Sequence, residues 1–353
     1  MATCAIKSKG EWNMFITLRL SKISSFFRVL ATISMFAVTT GSAFAGTKLI
    51  AGGGWPAGHP GPEAMEIFAS EVARLTKGEI TVANYPGSQL AGAFETVDAV
   101  ISGQMDISLH GPEWFARVTP EIDVINLPFL VSGSEQAYCI IDGEFGDYLT
   151  NKVEESAGLI VLAWMSNGAR HLTNNVRPIK AMEDIAGLKI RTPPSEMYLG
   201  TFRLLGANAV TIDIKELYQA LQQGVVDGQE NPYGNIEVRK FDEVQKYLSN
   251  TGHFYAYAWV VMNKSKFDSL SAEHQAALRE AAFRATHAQR AMMDRSNNGS
   301  RATLESRGMQ YDEIPASELN KIREAVAPLY DELRKKIGAE AINIARESVQ
   351  ACS

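Results

Sequence analysis

The sequence predicts an α/β protein of two domains with a cleft between them. Two separate runs in which strand alternates with helix carry that prediction, because such alternation builds a mainly parallel sheet with helices on its faces. A third observation joins the runs: an apolar strand-like segment, residues 256–262, returns to the first domain, and a long uninterrupted helical stretch follows it.

In the first run, residues 48–51 read as a short strand and Gly52-Gly53-Gly54 as a turn. Residues 61–76 follow as a helix, with Met65, Ile67, Phe68, Val72 and Leu75 at helical spacing. A strand at 79–85, a helix at 93–101 and a buried strand at 105–109 complete it. The second run starts near Arg170 with a strand at 188–192, a helix at 198–205 and a strand around 210–212. A helix at 216–223 and a strand at 225–229 end it. Ser271 then caps the long helix, with Glu273 in its first turn and no strong breaker before Asn297. Residues 317–349 read as mostly helical, interrupted at Pro328. The domains are therefore drawn as 46–169 with 256–296, and 170–255 with 297–353.

The chain has 353 residues, 46% hydrophobic and 21% charged, the balance of an ordinary globular protein. Its net charge of −6, with no basic run beyond the N-terminus, argues against nucleic acid as a partner. Residues 1–45 read as a secretory signal. Arg19, Lys22 and Arg28 form the basic region, 29–40 the apolar region, and Ala43-Phe44-Ala45 the small-residue cleavage site before Gly46. That apolar run is about 12 residues, well short of the roughly 20 that span a bilayer. Met14 is an alternative start. Cys4 leaves with the signal, and Cys139 and Cys352 remain in an oxidising compartment. Two unpaired thiols are expected, one buried and one on a frayed tail, with a bridge that pins the C-terminus as the alternative. No Cys/His spacing suits a metal.

Ligands of α/β proteins bind at strand ends. Arg191 stands at the end of the 188–192 strand, just before Pro193-Pro194. There its guanidinium fork can meet a carboxylate through two parallel hydrogen bonds. Asn231 sits before Pro232 at the end of a second such unit and can donate and accept together. Trp55, Trp114, Trp164, Tyr198 and Tyr233 fall near strand ends or cleft loops, where their faces could stack on a sugar ring or a flat acid. His59 and Glu196 lie beside cleft elements and could bind a hydroxyl. Catalysis is not expected: there is no Gly-x-Ser-x-Gly elbow, phosphate loop, zinc motif or dinucleotide fingerprint.

Six strings, in order, carry a family resemblance: YPGSQLAG at 85–92, INLPFL at 125–130, NGARHLTNNVRPI at 167–179, GLKIRTPPSE at 187–196, ELYQALQQGVVDGQENP at 216–232 and KFDEVQKYLSNTGH at 240–253. From about residue 48 to about residue 308 the chain resembles the solute-binding proteins of tripartite ATP-independent periplasmic (TRAP) transporters. The resemblance implies a two-lobed binding-protein fold whose long helix runs across both lobes. It makes Arg191 the main carboxylate clamp, Arg170 a second cleft arginine and Asn231 the cleft amide. In the sialic-acid-binding branch an asparagine and a glutamate occupy positions that match Gly54 and Gly111 here, with His110 and Glu113 nearby, so readout of the far end of the ligand must differ. The implied function is a monomeric periplasmic receptor that passes an organic acid to a membrane permease without any cofactor. A sugar acid such as a uronate is favoured, with C4-dicarboxylates and aromatic or keto acids as alternatives. A receptor for an ATP-driven importer, a ligand-sensing subunit and a secreted hydrolase are the competing readings.

Overall fold

The computed structural model describes residues 46–353; the signal segment 1–45 and Cys4 lie outside the described residues. One mixed nine-stranded sheet runs through the molecule. Its first stretch follows the predicted alternation: β1 (Thr47–Gly53), α1 (Pro60–Leu75), β2 (Ile80–Tyr85), α2 (Ala93–Ser102) and β3 (Ile107–His110). α1 begins where Pro60 supplies the preset helical φ and His59 caps it, its Nδ1 accepting from Gly61 N at 3.0 Å. Ala64, Met65, Phe68 and Val72 form its buried stripe. Two 3-10 turns, Pro112–Phe115 and Pro120–Val124, lead to helices α3 (Ser134–Ile141) and α4 (Glu144–Ser156).

Two long antiparallel strands form the spine: β4 (Leu159–Asn174) and, later in the chain, β8 (Tyr247–Asn263). Between them come β5 (Lys189–Thr192), α5 (Glu196–Leu204), β6 (Asn208–Thr211), α6 (Leu217–Gln222), β7 (Gly228–Asn231) and α7 (Tyr233–Val238). After them come α8 (Lys264–Asp268), α9 (Ala272–Ser306), β9 (Gln310–Glu313) and helices α10 (Ala316–Val326), α11 (Pro328–Ile337) and α12 (Glu340–Ala351).

The strand order is β2-β1-β3-β8-β4-β7-β5-β6, with β9 beside β8. β3 pairs with β8 over Trp259–Met262, whereas β7 and β9 pair with the opposite ends of the spine, at residues 171–174 of β4 and 247–250 of β8. The spine therefore belongs to both halves of the molecule. Where it passes from one to the other its register shifts, between Ser166 and Gly168 and again between Arg170 and Leu172. Gly168 takes φ +109°, a value closed to most side chains. α9 packs against α1 in the first half and α7 in the second, so the long helix does cross both lobes. It extends nine residues beyond the predicted end at Asn297.

The expectation of two free thiols is corrected: Cys139 and Cys352 are disulfide-bonded, with Cα atoms 5.9 Å apart. α12 packs on α3 and α4, which brings the tail to Cys139 on the exposed side of α3. Neither the burial of Cys139 nor the fraying of the tail occurs.

Candidate ligand site

Where the parallel strands of both halves end, Gly54, Trp55, His110, Glu113, Trp114, Asn167, Arg170, Arg191, Asn231, Asn235 and Arg239 enclose a cavity with about 380 Å³ of atom-free space, part of it open to solvent.

Arg191 reaches it from the end of β5. Its side chain is only 1% exposed. Nε donates to Ile212 O at 2.9 Å, just past the neighbouring strand β6, while Nη2 is buried without a partner. The guanidinium lies 6.0 Å from the centre of the Trp114 ring. Burial, resisted by the field of Glu230, pulls it down to about 9. A buried, unpaired N–H of a cation is costly, and a bound anion would relieve that cost.

Arg170 lines the same cavity but is already spoken for. From β4 its Nε and Nη2 meet Glu230 Oε2 and Oε1 of β7 at 2.5 and 2.7 Å, and Nη2 also donates to Glu230 O at 2.7 Å. Burial works against both charges, yet each partner outweighs it: Glu230 holds Arg170 above its ordinary value and Arg170 holds Glu230 below its own. Arg170, expected as a second cleft arginine, is thus in the cavity lining with its charge compensated by Glu230, and the pair frames the pocket. Tyr198 lies beneath it, 5.1 Å from ring centre to guanidinium.

Asn231 ends β7, and an amide chain continues from it. Its Nδ2 donates to Gln229 Oε1, and its Oδ1 accepts from Asn235 Nδ2 at 3.3 Å. Asn235 Nδ2 also donates to Asn167 Oδ1 at 2.9 Å, which leaves Asn235 Oδ1 buried and unpaired. Asn297 of α9 braces this group from behind, donating to Asn167 O at 3.1 Å and accepting from Gly234 N at 3.0 Å.

The opposite wall comes from the first half, where Gly54, Trp55 and His110 face the cavity. His59, expected to bind a hydroxyl, stacks on Trp55 outside the lining. Because His59 Nδ1 accepts the α1 cap bond, its proton is assigned to Nε2. The amides of Asn167 and Asn235 face that ring, but none meets Nε2 with hydrogen-bond geometry. Burial, then the charge of Arg239, lowers His59 to about 3, so it is neutral. Trp55 stacks on it at 5.2 Å. His110 bonds Ser108 through Nδ1 at 3.1 Å and leaves Nε2 unpaired; burial lowers it to about 4. Burial pushes Glu113 up to about 7 against the pull of Arg170.

The two glycines that replace polar residues of the sialic-acid branch now have a reason. A Cβ at Gly54 would stand 2.9 Å from His110 Nε2, and one at Gly111 would stand 2.2 Å from both carboxylate oxygens of Glu113. His110 and Glu113 fill the space that side chains at 54 and 111 would take.

Three other expected contacts lie elsewhere. Trp164 packs on Trp259 at 5.0 Å and donates to Thr150 Oγ1, because its β4 position faces a core layer. Glu196 stands exposed on the outer side of the first turn of α5. Tyr233 stacks on His171 at 3.9 Å and donates to Asn250 Oδ1, behind the site rather than in it. Asn167, Asn235 and Arg239 were not anticipated. Asn235 on α7 and Arg239 at its C-terminal cap stand four residues apart, the spacing that lines one helix face, and that spacing was available in the sequence.

A two-lobed α/β scaffold with one N–H group of a buried arginine held without a partner in the cavity fits a receptor for small anionic solutes. The chain belongs to the bacterial extracellular solute-binding protein family 7, whose model matches residues 51–336. It is a solute-binding protein of the TRAP transporter class, a family of transport receptors rather than enzymes. The 2,3-diketo-L-gulonate-binding periplasmic protein YiaO of Escherichia coli is 39% identical over 230 residues, 65% of this chain and 70% of that protein. The sugar-acid-binding protein DctPAm of Advenella mimigardefordensis, solved with galactonate, superposes with a TM-score of 0.85 at 32% identity, covering 87% of this chain and 99% of that one. A TRAP periplasmic solute-binding protein of a Polaromonas species, solved with D-erythronate, gives 0.81 at 35% identity over 85% and 98%.

Proposed function

We propose that this chain is the periplasmic receptor of a TRAP importer, that it takes a sugar acid by its carboxylate on Arg191, and that it delivers this solute, as a monomer, to the membrane permease. The observation that carries the reading is the unpartnered Nη2 of the buried Arg191 facing the cavity. A carboxylate there replaces lost water with charge-assisted hydrogen bonds, each worth about 1.5–3 kcal/mol. Asn231 orients the bound group. The unpaired His110 Nε2 and Asn235 Oδ1 supply one ring nitrogen and one acceptor along the walls, the complement of a chain of hydroxyls. An aromatic acid would leave them unsatisfied, which favours a polyhydroxy acid. Similar proteins solved with galactonate and D-erythronate, and others solved with galacturonate and glucuronate, support a sugar acid, with both aldonates and uronates as candidate ligands.

Residues 1–45 are the export signal in this reading, so protein made in a Gram-negative host is expected in the periplasm with Gly46 at or near its N-terminus. The ligand test is a thermal-shift panel of D-galactonate, D-glucuronate and succinate. A ligand at 100 times its dissociation constant stabilises the fold by about 2.7 kcal/mol. The sugar acids are expected to raise the midpoint and succinate to do so less. No response to either sugar acid would overturn the assignment.

A further inference from the structure

Arg239 is a charged group of the cavity with no role so far. It follows α7, in the half that carries Arg191, yet its Nη2 crosses the cavity to donate to Gly54 O at 2.8 Å, in the half that carries β1. No other hydrogen bond of its guanidinium is formed among the described residues, so its remaining N–H groups are free for a solute. A Cβ at Gly54 would press on the His110 ring, 2.9 Å from its Nε2. The two arginines are thus tethered to opposite walls, Arg191 to Ile212 O and Arg239 to Gly54 O. Asp213, whose carboxylate accepts from Ala93 N, offsets part of the positive field at both arginines.

We propose that Arg239 is a specificity residue that reads the end of the ligand distal to the carboxylate, and that it ties that end to closure of the two halves through Gly54 O. The inference rests on the sugar-acid reading of the site. A long polyhydroxy acid clamped on Arg191 extends toward Trp55, His110 and Arg239, accepts hydrogen bonds from the free N–H groups of Arg239, and holds the guanidinium where it also meets Gly54. A short acid fills the clamp and leaves Arg239 without a ligand contact.

The test is a chain-length series of D-glycerate, D-erythronate and D-galactonate, measured by calorimetry against wild type, Arg239→Gln, Arg239→Lys and Arg191→Lys. With Arg239→Gln, galactonate affinity is expected to fall at least tenfold, erythronate less, and glycerate not at all. Unchanged glycerate binding shows that the variant is folded. Arg239→Lys should recover part of the loss. Arg191→Lys should weaken all three acids alike. Small-angle scattering should find galactonate contracting the wild type and failing to contract Arg239→Gln at equal occupancy. Wild-type galactonate affinity and contraction in Arg239→Gln would overturn the inference and leave the proposed function standing. An equal loss for all three acids in Arg239→Gln would also overturn it. Failure of the wild type to bind any of the acids would overturn both.

Discussion

Arg191→Met should make the empty protein more stable while abolishing its response to ligand. The structure sets the size of the effect. Burial lowers Arg191 from its ordinary value above 12 to about 9. At about 1.36 kcal/mol for each pH unit, that depression corresponds to a penalty of about 5 kcal/mol for keeping the charge in the fold. Because burial disfavours the charge and the guanidinium stays protonated in both states, the penalty is present in full at pH 7. Methionine has a similar length and no charge. Its introduction forfeits the hydrogen bond to Ile212 O, at about 1–3 kcal/mol, and part of the contact with Trp114. A net gain of about 2 kcal/mol remains. With an unfolding entropy of about 2.1 cal/mol/K per residue over roughly 300 residues, this is a rise of about 3 °C in midpoint. The assay is a pair of melts, with and without D-galactonate. A variant that melts well below the empty wild type would refute the view that Arg191 is held at a cost for its ligand. So would a variant that still gains stability from galactonate.

Three further outcomes follow from the same site and fold. Glu113, at about 7 in the empty protein, should take up a proton when an anion binds beside it. Calorimetry at pH 7.5 in buffers of different ionisation enthalpy should register that uptake in wild type and lose it in Glu113→Gln, and affinity should decline as pH rises above 7. Glu230→Gln leaves the buried Arg170 uncompensated and should cost about 3–5 kcal/mol of stability, read as a lower denaturation midpoint even without ligand. Cys139→Ser opens a disulfide that spans 213 residues of sequence and should cost about 2–5 kcal/mol, reproduced in the wild type by a reductant.

Much of this arrangement was legible in the sequence because it is local. β1, α1, β2, α2, β3, β5, α5 and α6 announce themselves by period and by punctuation, and the arginine at the end of β5 needs only the strand and the Pro-Pro stop to be found. The spine was not legible. β4 spans a run that mixes Ala, Ser, Asn, Gly and Arg with apolar residues, and nearly every position is buried on one face or the other, so no alternation survives. β8 was seen only over its apolar second part, because Asn250, Gly252 and His253 resemble a loop until the partner strand is known. In the site, Arg170 and Glu230 lie 60 residues apart in sequence, and nothing near either tells that they neutralise each other. The same holds for Arg239 and Gly54, which are 185 apart. Pairings of that range are products of topology, and only their local halves can be read from residues.

The long helix has a mechanical consequence. A regular helix of 35 residues is a rod of about 52 Å, and a rod fastened to two bodies resists any change in the angle between them. α9 carries Ser296-Asn297-Asn298-Gly299-Ser300 where Asn297 meets the crossing point of the spine at Asn167 and the start of α7 at Gly234. Glycine alone lowers helix stability by about 1 kcal/mol relative to alanine, and serine and asparagine each lower it further. The stiffest member of the scaffold is therefore softest at the junction, and a bending load would be taken up within one and a half turns there while the lengths on either side stay straight.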